Sequence, residues 1–185
     1  MKIAVVSDTH GNWQLIEKAL REEPVDYLMF LGDNAEDGRQ LERSLGVTAF
    51  IVQGNCDYSD PAPVEQMVEL GGWQFWLCHG HSCFVKENLT WLWAEARDRK
   101  VDFALYGHTH QAFYEERDGI TVINPGAVSM LDLVIGTASW GLLTLSDKKD
   151  ENFFKKYEKK ACTFDGCIAV LVLLGGYSIY GLQSL

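Results

Sequence analysis

All five histidines of this 185-residue chain lie in three short turns, and each turn follows an apolar run. The three turns are Ser7-Asp8-Thr9-His10, Cys78-His79-Gly80-His81 and Gly107-His108-Thr109-His110. Two further turns place carboxylates and an amide in the same position, Gly32-Asp33-Asn34 and Gly54-Asn55-Cys56-Asp57. An apolar run that stops at a polar turn is typical of a buried strand. The pattern therefore predicts several strands whose ends carry metal-binding side chains.

The first half of the chain alternates short apolar runs with segments of helical periodicity. Strands are predicted at residues 2–6, 27–31 and 48–52. Asn12 is expected to cap a helix whose apolar face uses Leu15, Ile16, Ala19 and Leu20, and a second helix is predicted around residues 37–44. This alternation predicts a parallel sheet covered by helices. Such sheets bind ligands beyond the carboxyl ends of their strands. Asp8, His10, Asp33 and Asn55 all fall at such ends.

The second half of the chain contains two hairpin signals and one helical segment. Gly71-Gly72 separates strands predicted at 64–70 and 73–78, and Asp118-Gly119 separates strands at 112–117 and 120–123. Residues 86–100 are predicted to be helical, and further strands are predicted at 101–106 and 140–145.

Composition limits the class of protein. The length fits one domain with a small appendage, and the hydrophobic fraction of 47% allows a sizeable core. A net charge of -10 argues against binding long nucleic acid, but bound cations would still admit a small phosphate ester. The five cysteines do not form a disulfide pattern, and the first apolar run is too short for a signal peptide. These features predict a cytoplasmic protein.

The C-terminal segment differs from the rest, because residues 166–185 contain no charged side chain. We expect a metal-binding domain at residues 1–157 and an added hairpin or docking element at 158–185. The hairpin would pair residues 167–174 with 177–182 across Gly175-Gly176. A membrane anchor is the alternative, but spanning needs about 20 apolar residues and three glycines interrupt this stretch. We therefore favour the interpretation in which the segment does not span a membrane.

Taken together, the polar turns have the composition of a site for two divalent cations. Asp8 and His10 are two residues apart and can converge on one ion, and His108 and His110 repeat that spacing. The carboxylate of Asp33 has two oxygens and could bridge two ions. Mixed imidazole and oxygen ligands suit Mn, Fe, Zn, Co or Ni better than Ca or Mg. The proposed ligands are Asp8, His10, Asp33, Asn55, His79, His108 and His110.

Each of these residues also has a simpler explanation when it is considered alone. Asp33 could cap the following helix, and Asn55 could adopt a turn conformation. The histidines could form hydrogen bonds with the backbone. Asp57 could orient a ligand or be only a turn residue, and Cys56 could be a small buried filler. The shared placement at strand ends is left unexplained by these alternatives, so we favour the dinuclear site.

The ordered motifs resemble the calcineurin-like metallophosphoesterase superfamily, and in particular its small phosphodiesterase branch. The superfamily signature is D-x-H, G-D, G-N-x-D, a histidine and G-H-x-H. It occurs here in that order, and the resemblance extends over about residues 1–157. Asn124-Pro125-Gly126 and the His79-Gly80-His81 motif also resemble that branch.

The resemblance implies a fold, a cofactor and a reaction. The fold would be an α/β four-layer α-β-β-α sandwich of two mixed sheets flanked by helices. Two divalent ions would be bound, with Mn as our first expectation. One would be held by Asp8, His10, Asp33 and His110, and the other by Asp33, Asn55, His79 and His108. A hydroxide bridging the metals would attack the phosphorus of a small phosphate ester in line with the leaving group. A nucleotide is among the candidate substrates.

Two departures from the superfamily pattern affect the expected substrate. Many relatives have a histidine at the position of Cys56, and a neutral thiol is a weaker proton donor to the leaving group. We therefore expect phosphodiesters, or monoesters with acidic leaving groups. The expected catalytic residues are Asn55, Asp57 and His81, with His81 a substitute proton donor or phosphate contact. The second departure is that residues 127–132 contain no basic side chain, where the branch usually has an arginine.

The alternative function is a binding module. The same fold serves as a scaffold subunit of the retromer complex, in which the metal-site region is degraded. This chain keeps every ligand position, which favours an enzyme, although its apolar C-terminal segment could dock a partner. Neither the oligomeric state nor the natural substrate is indicated by the sequence.

Overall fold

Two β-sheets pack face to face and carry helices on their outer surfaces. The computed structural model describes residues 1–129, 131–132, 136 and 138–145, and the backbone of 163–164 and 167–173. In chain order the elements are β1 (Lys2–Val6), α1 (Trp13–Glu22), β2 (Tyr27–Phe30), α2 (Ala35–Leu45), β3 (Thr48–Ile51), β4 (Glu65–Leu70), β5 (Trp73–Cys78), α3 (Thr90–Arg99), β6 (Phe103–Leu105), β7 (Phe113–Arg117), β8 (Ile120–Asn124), β9 (Ser139–Thr144), β10 (Thr163–Phe164) and β11 (Cys167–Leu173). The predicted four-layer architecture is confirmed.

Both sheets are mixed. The six-stranded sheet has the order β10-β11-β9-β1-β2-β3, in which β1, β2 and β3 are parallel and β9 runs antiparallel to β1. The five-stranded sheet has the order β4-β5-β6-β8-β7, in which β5, β6 and β8 are parallel and β4 and β7 form antiparallel edges. The carboxyl ends of the parallel strands therefore lie along one edge of each sheet.

The alternation of side chains along β1 shows how one strand serves two layers. Ile3 and Val5 belong to the core between the sheets, whereas Ala4 and Val6 pack towards α1 and α2. All four are fully buried, as expected for a strand that is covered on both faces. The five-stranded sheet is covered in the same way, because Trp76, Ala104 and Val122 pack with Leu92 and Ala96 of α3.

The observed helices differ from the predicted ones at two places. Asn12 precedes α1, but its side chain donates to the carbonyl oxygen of Thr9 and does not cap the helix. Leu15 is 40% exposed, so the buried face of α1 is formed mainly by Ile16 and Leu20. The third helix begins at Thr90 and not at residue 86. A three-ten turn at His81–Cys83 and the left-handed Phe84 precede it. The amides of Glu87 and Asn88 then donate to the carbonyl oxygen of Phe84 in a separate turn, and Asn88 Oδ1 accepts the Thr90 amide at 2.9 Å where the helix begins.

The C-terminal segment contributes backbone to the six-stranded sheet. The strand β11 runs parallel to β9, and β10 pairs with β11 in the antiparallel sense. The second strand of the predicted hairpin, residues 177–182, lies outside the described residues, and the boundary at 157 stays a prediction. Within the described ranges, no helix has the length and apolar character needed to cross a bilayer.

Candidate metal centre

The turns that carry the seven predicted ligands lie along the edge where the two sheets meet. The turns after β1, β2 and β3 supply Asp8, His10, Asp33 and Asn55 from one sheet, and those after β5 and β6 supply the histidines at 79, 108 and 110 from the other. The amide of His108 donates to Asp8 Oδ2 at 2.9 Å across the boundary between the sheets. The structure thus brings together side chains that are up to 102 positions apart in the sequence, from Asp8 to His110.

Asp8 has one oxygen that is held and one that is open. Its Oδ2 accepts hydrogen bonds from Ser7 Oγ at 2.5 Å and from the amide of His108. Its Oδ1 is buried and has no hydrogen-bond donor among the described residues. The nearest basic atom is His110 Nε2 at 3.3 Å, which is an ion-pair distance without hydrogen-bond geometry. A buried carboxylate oxygen without a donor is costly, and a bound cation would satisfy it.

The carboxylate of Asp33 faces two groups of side chains. Its Oδ1 accepts from the amide of Cys56 at 2.9 Å and lies 3.5 Å from His79 Nε2. Its Oδ2 lies 3.9 Å from His10 Nε2 on the other side. This is the arrangement that a carboxylate shared between two cations needs. Burial opposes its ionisation, but His79 and the Cys56 amide outweigh burial, so the pKa of Asp33 lies below its ordinary value.

Two histidines are oriented by a hydrogen bond at the ring nitrogen that faces away from the centre. His79 is buried, and its Nδ1 lies 2.7 Å from the carbonyl oxygen of Leu31, which assigns the proton to Nδ1. His79 Nε2 is then free to act as a ligand, 3.1 Å from Asn55 Oδ1. His110 Nδ1 lies 3.0 Å from Asp132 Oδ2, and its Nε2 faces Asp8. Metal-binding histidines are usually held in this way by a carbonyl or a carboxylate.

In the part of the chain that the structure describes, three groups of side chains have ligand atoms within 4.8 Å of each other, close enough to share one ion. They are Asp8 with His10 and His110, Asp33 with His79 and His108, and His10 with Asp33 and Cys56. The first two contain six of the seven predicted ligands, and Asn55 adjoins the second group through His79. They divide the ligands as the superfamily resemblance implies. The third group includes the Cys56 thiol as a ligand in addition to imidazole and carboxylate. Because Cys56 is exposed, the interpretation of this cysteine as a small buried filler is wrong.

The electrostatic character of the centre is set by its two carboxylates. Contact with Asp8 raises the pKa of His110 to about 8. Burial works against the charged form of His79, but Asp33 and Asp8 outweigh it and raise its pKa. Desolvation, with the neighbouring His79 second, lowers the pKa of His108 to about 4. The carboxylates of Asp8 and Asp33 thus favour positive charge between the ligand turns, and divalent cations would supply that charge.

Backbone strain is concentrated at the same turns. Ten non-glycine residues in the described part of the chain have positive φ, and five of them are predicted ligands: Asp8, His10, Asp33, His108 and His110. Such conformations are uncommon outside glycine and cost free energy. Strain of this kind persists where surrounding contacts impose it, and it often marks functional sites.

Asp57 holds two of the turns together. Its carboxylate accepts hydrogen bonds from the amides of Asp33, Asn34, Ala35 and Gly54, at 2.7–3.1 Å. Both oxygens are therefore engaged by backbone. This geometry favours a positioning role for Asp57 over the direct catalytic role that we expected.

Four residues that support the centre were not among the predicted site residues. Asp37 is buried and accepts from Thr9 Oγ1 at 2.6 Å and from the Gly11 amide at 2.7 Å. Asp132 orients His110, and Ser129 Oγ donates to the same carboxylate oxygen. Asn124 is fully buried and donates to the carbonyl oxygen of Gly107 at 2.8 Å. Only Asn124 carried a signal in the sequence, through the Asn-Pro-Gly motif.

His81 lies beside the predicted ligands but is not part of either main group. Its ring centroid is 5.5 Å from that of His79 and 6.1 Å from that of His108. Its Nδ1 is buried without a hydrogen-bond partner among the described residues. Desolvation, followed by the charge of His79, lowers its pKa. Desolvation and the nearby carboxylates raise the pKa of Cys56 to about 11, so its thiol is neutral at pH 7.

Comparison with known proteins identifies relatives of this chain. The family model of the calcineurin-like phosphoesterase superfamily domain matches residues 1–148. The probable metallophosphoesterase YsnB of Bacillus subtilis is 30% identical over 149 residues, which cover 80% of this chain and 86% of that protein. Phosphodiesterase YfcE of Escherichia coli is 31% identical over 156 residues, covering 70% and 80% of the two chains.

Solved structures show the same fold. Wild-type Vps29 of Entamoeba histolytica, in a crystal structure with Zn²⁺, superposes with a TM-score of 0.61 at 22% identity, covering 69% of this chain and 74% of that one. At that identity the likeness concerns the fold alone. The family model and the relatives confirm the resemblance drawn from the motifs, and the chain belongs to the calcineurin-like phosphoesterase superfamily.

Proposed function

We propose that this chain is a phosphodiesterase that depends on two divalent metal ions and acts on small phosphate esters. The observation that supports a dinuclear site most directly is the position of Asp33, whose two oxygens face His79 on one side and His10 on the other. The open oxygen of Asp8 supports a cation in the first group of ligands.

The residues present fit the metal ions that the superfamily implies. Asp8, His10, Asp33 and His110 would hold one ion, and Asp33, Asn55, His79 and His108 the other. When bound, the ions would lower the pKa of water and neutralise the charge that develops on the phosphate. Imidazole and carboxylate ligands in this mixture suit Mn, which we infer to be the native metal, with Zn, Ni, Fe and Co as the alternatives to test.

The residues of the chain itself would position the centre and its substrate. Leu31 and Asp132 hold His79 and His110 in the tautomers that leave Nε2 free. Asp57 fixes the turn of Asp33 against that of Asn55. His81, whose Nδ1 has no partner among the described residues, would contact the phosphate or donate a proton to the leaving group.

The group at position 56 supports phosphodiesters, or monoesters with acidic leaving groups, as substrates. The neutral Cys56 thiol is a weak proton donor, so the reaction would depend on leaving groups that depart without strong protonation. The name of the relative YfcE, a phosphodiesterase, supports the same class of substrate.

The test is hydrolysis of bis(p-nitrophenyl) phosphate and p-nitrophenyl phosphate after metal removal and re-addition of Mn²⁺, Zn²⁺, Ni²⁺ or Mg²⁺. Metal-dependent turnover with the diester ahead is expected. A faster monoester would contradict the diester preference, and no turnover with any metal in a folded protein would favour a binding module of the same fold.

The role of His81 has its own test. Replacing His81 with alanine should slow the diester reaction, while His81→Gln, which keeps a donor group, should retain more activity. An unchanged rate for His81→Ala would remove His81 from the mechanism.

A further inference from the structure

A strained and exposed aromatic residue follows the histidine turn after β5. Phe84 has a φ of 53°, in the left-handed region that bulky side chains rarely adopt. Its side chain is nevertheless 65% exposed. Packing contacts are the usual compensation for such strain, and a ring that lies mostly in solvent makes few of them.

The residues on either side of Phe84 fix its position. Cys83 and Val85 are both buried in the core beneath α3. The amide of Phe84 donates to the carbonyl oxygen of His81 at 3.3 Å and closes the three-ten turn. Glycine is the residue that suits a left-handed position at the end of a helical turn. Since a glycine would close this turn without strain, the backbone alone gives no reason for a phenylalanine.

Phe84 lies in a turn that belongs to the candidate metal centre. The same turn carries His81, whose ring neighbours His79 and His108. A second large side chain, Tyr58, is 90% exposed and lies three residues after Asn55 in another turn of the centre. Exposed aromatic faces bind other planar rings by stacking.

We propose that Phe84 determines substrate specificity by stacking against an aromatic ring of the phosphate ester that the centre binds. The inference rests on the proposed phosphoesterase function and narrows its substrates to esters of aromatic alcohols or nucleosides. Phe84 takes no part in bond breaking. Its strain is retained because the ring is needed for binding.

The test compares two phosphonates that are not hydrolysed and differ only in a ring, phenylphosphonate and methylphosphonate. Their affinities for the Mn²⁺-loaded protein are measured by titration calorimetry. The wild-type protein should bind phenylphosphonate roughly 5- to 50-fold more tightly. Phe84→Gly should lose this preference, keep its affinity for methylphosphonate, and unfold at the same or a higher temperature because the strain is relieved.

Two variants serve as controls. Phe84→Tyr keeps an aromatic ring and should keep the preference. Met67→Ala removes an apolar side chain that is 48% exposed on β4, and it should leave the preference unchanged. A preference that is absent from the wild type or survives in Phe84→Gly would overturn the inference. A lower unfolding temperature for Phe84→Gly would also overturn it, because the ring would then have a packing role.

Turnover of bis(p-nitrophenyl) phosphate by the wild type is measured separately. The preference for phenylphosphonate over methylphosphonate is measured by binding, and the proposed function is measured by turnover. Failure of this inference and failure of the proposed function therefore give different results. Turnover without a ring preference would reject only the role of Phe84. Absence of turnover would reject the proposed function and, with it, the assignment of the bound ring to a substrate.

Discussion

A metal centre and a simple hydrogen-bonded cluster require different properties of the Asp33 side chain. In a cluster, its carboxylate would need only to accept the Cys56 amide, and an asparagine could still do that. In a dinuclear centre, each oxygen would contact one ion, on the His79 side and on the His10 side, and both oxygens must carry negative charge. The isosteric substitution Asp33→Asn therefore separates charge from shape.

We expect Asp33→Asn to lower turnover of the diester by at least about 100-fold, since it removes a charged group that would contact both ions. Elemental analysis should show fewer than two bound metal ions per chain. Circular dichroism should show the same fold. Asp98→Asn, at an exposed position on α3, is the matched control and should retain turnover and metal. Full activity in Asp33→Asn would contradict a bridging role.

Asp132 would affect metal binding indirectly, because it orients the proposed ligand His110. We expect Asp132→Asn to weaken Mn²⁺ binding by about 10- to 100-fold, because the carboxylate that orients the imidazole is lost. Asp132→Glu should recover part of the affinity if its longer side chain still reaches Nδ1. Titration calorimetry with Mn²⁺ measures both variants. An affinity equal to that of the wild type would show that His110 does not need this partner.

At the scale of the elements, short turns are tied to one another by side chains that lie outside the ligand set. Glycine allows the turns to approach: a Cβ at Gly54 would lie 2.1 Å from Asp33 Oδ1, and one at Gly107 would lie 1.9 Å from Ser7 Oγ. Asp57 then fixes the turns after β2 and β3 through four backbone amides. The ligand geometry therefore depends on contacts between turns as much as on the ligands.

Removal of the Asp57 carboxylate should destabilise the whole domain. Asp57→Ala leaves four amides without their acceptor, and we expect a loss of about 2–4 kcal/mol in the free energy of unfolding. Asp57→Asn keeps one acceptor oxygen, so its free energy of unfolding should lie between those of the alanine variant and the wild type. Urea denaturation measures the change. If Asp57→Ala unfolds at the wild-type urea concentration yet loses turnover, a direct catalytic role replaces the positioning role.

The ligand turns could be predicted from the sequence because each follows an apolar run, and their order matched a known signature. The supporting carboxylates of Asp37 and Asp132 could not be predicted in this way. Asp37 contacts Thr9 and Gly11 only after α2 has packed beside the first turn, and nothing local distinguishes it from a helix-surface acid. The late start of α3 escaped prediction for a similar reason. The amides of Glu87 and Asn88 donate to the carbonyl oxygen of Phe84, which lies outside the predicted helix, so residues that suit a helix form a turn instead.

At the scale of the whole molecule, the proposed ions would connect the two sheets. Each main ligand group draws on both: Asp8 and His10 from the six-stranded sheet with His110 from the five-stranded one, and Asp33 with His79 and His108. The sheets are already joined by the apolar core that lies between them. Metal binding would add a second link at the edge where the turns meet, and should therefore stabilise the fold.

We expect the unfolding temperature to fall after treatment with a chelator and to recover with Mn²⁺. A ligand that binds only the folded state at about 100 times its Kd adds roughly 2.7 kcal/mol, which for a chain of this size corresponds to a rise of roughly 5–11 °C. Differential scanning calorimetry with increasing Mn²⁺ measures the shift. Asp33→Asn should lose most of it because Asp33 belongs to both proposed sites, while Asp98→Asn should keep it. An unfolding temperature that does not respond to any divalent metal would mean that the turns hold no ion, and the open oxygen of Asp8 would then need another explanation.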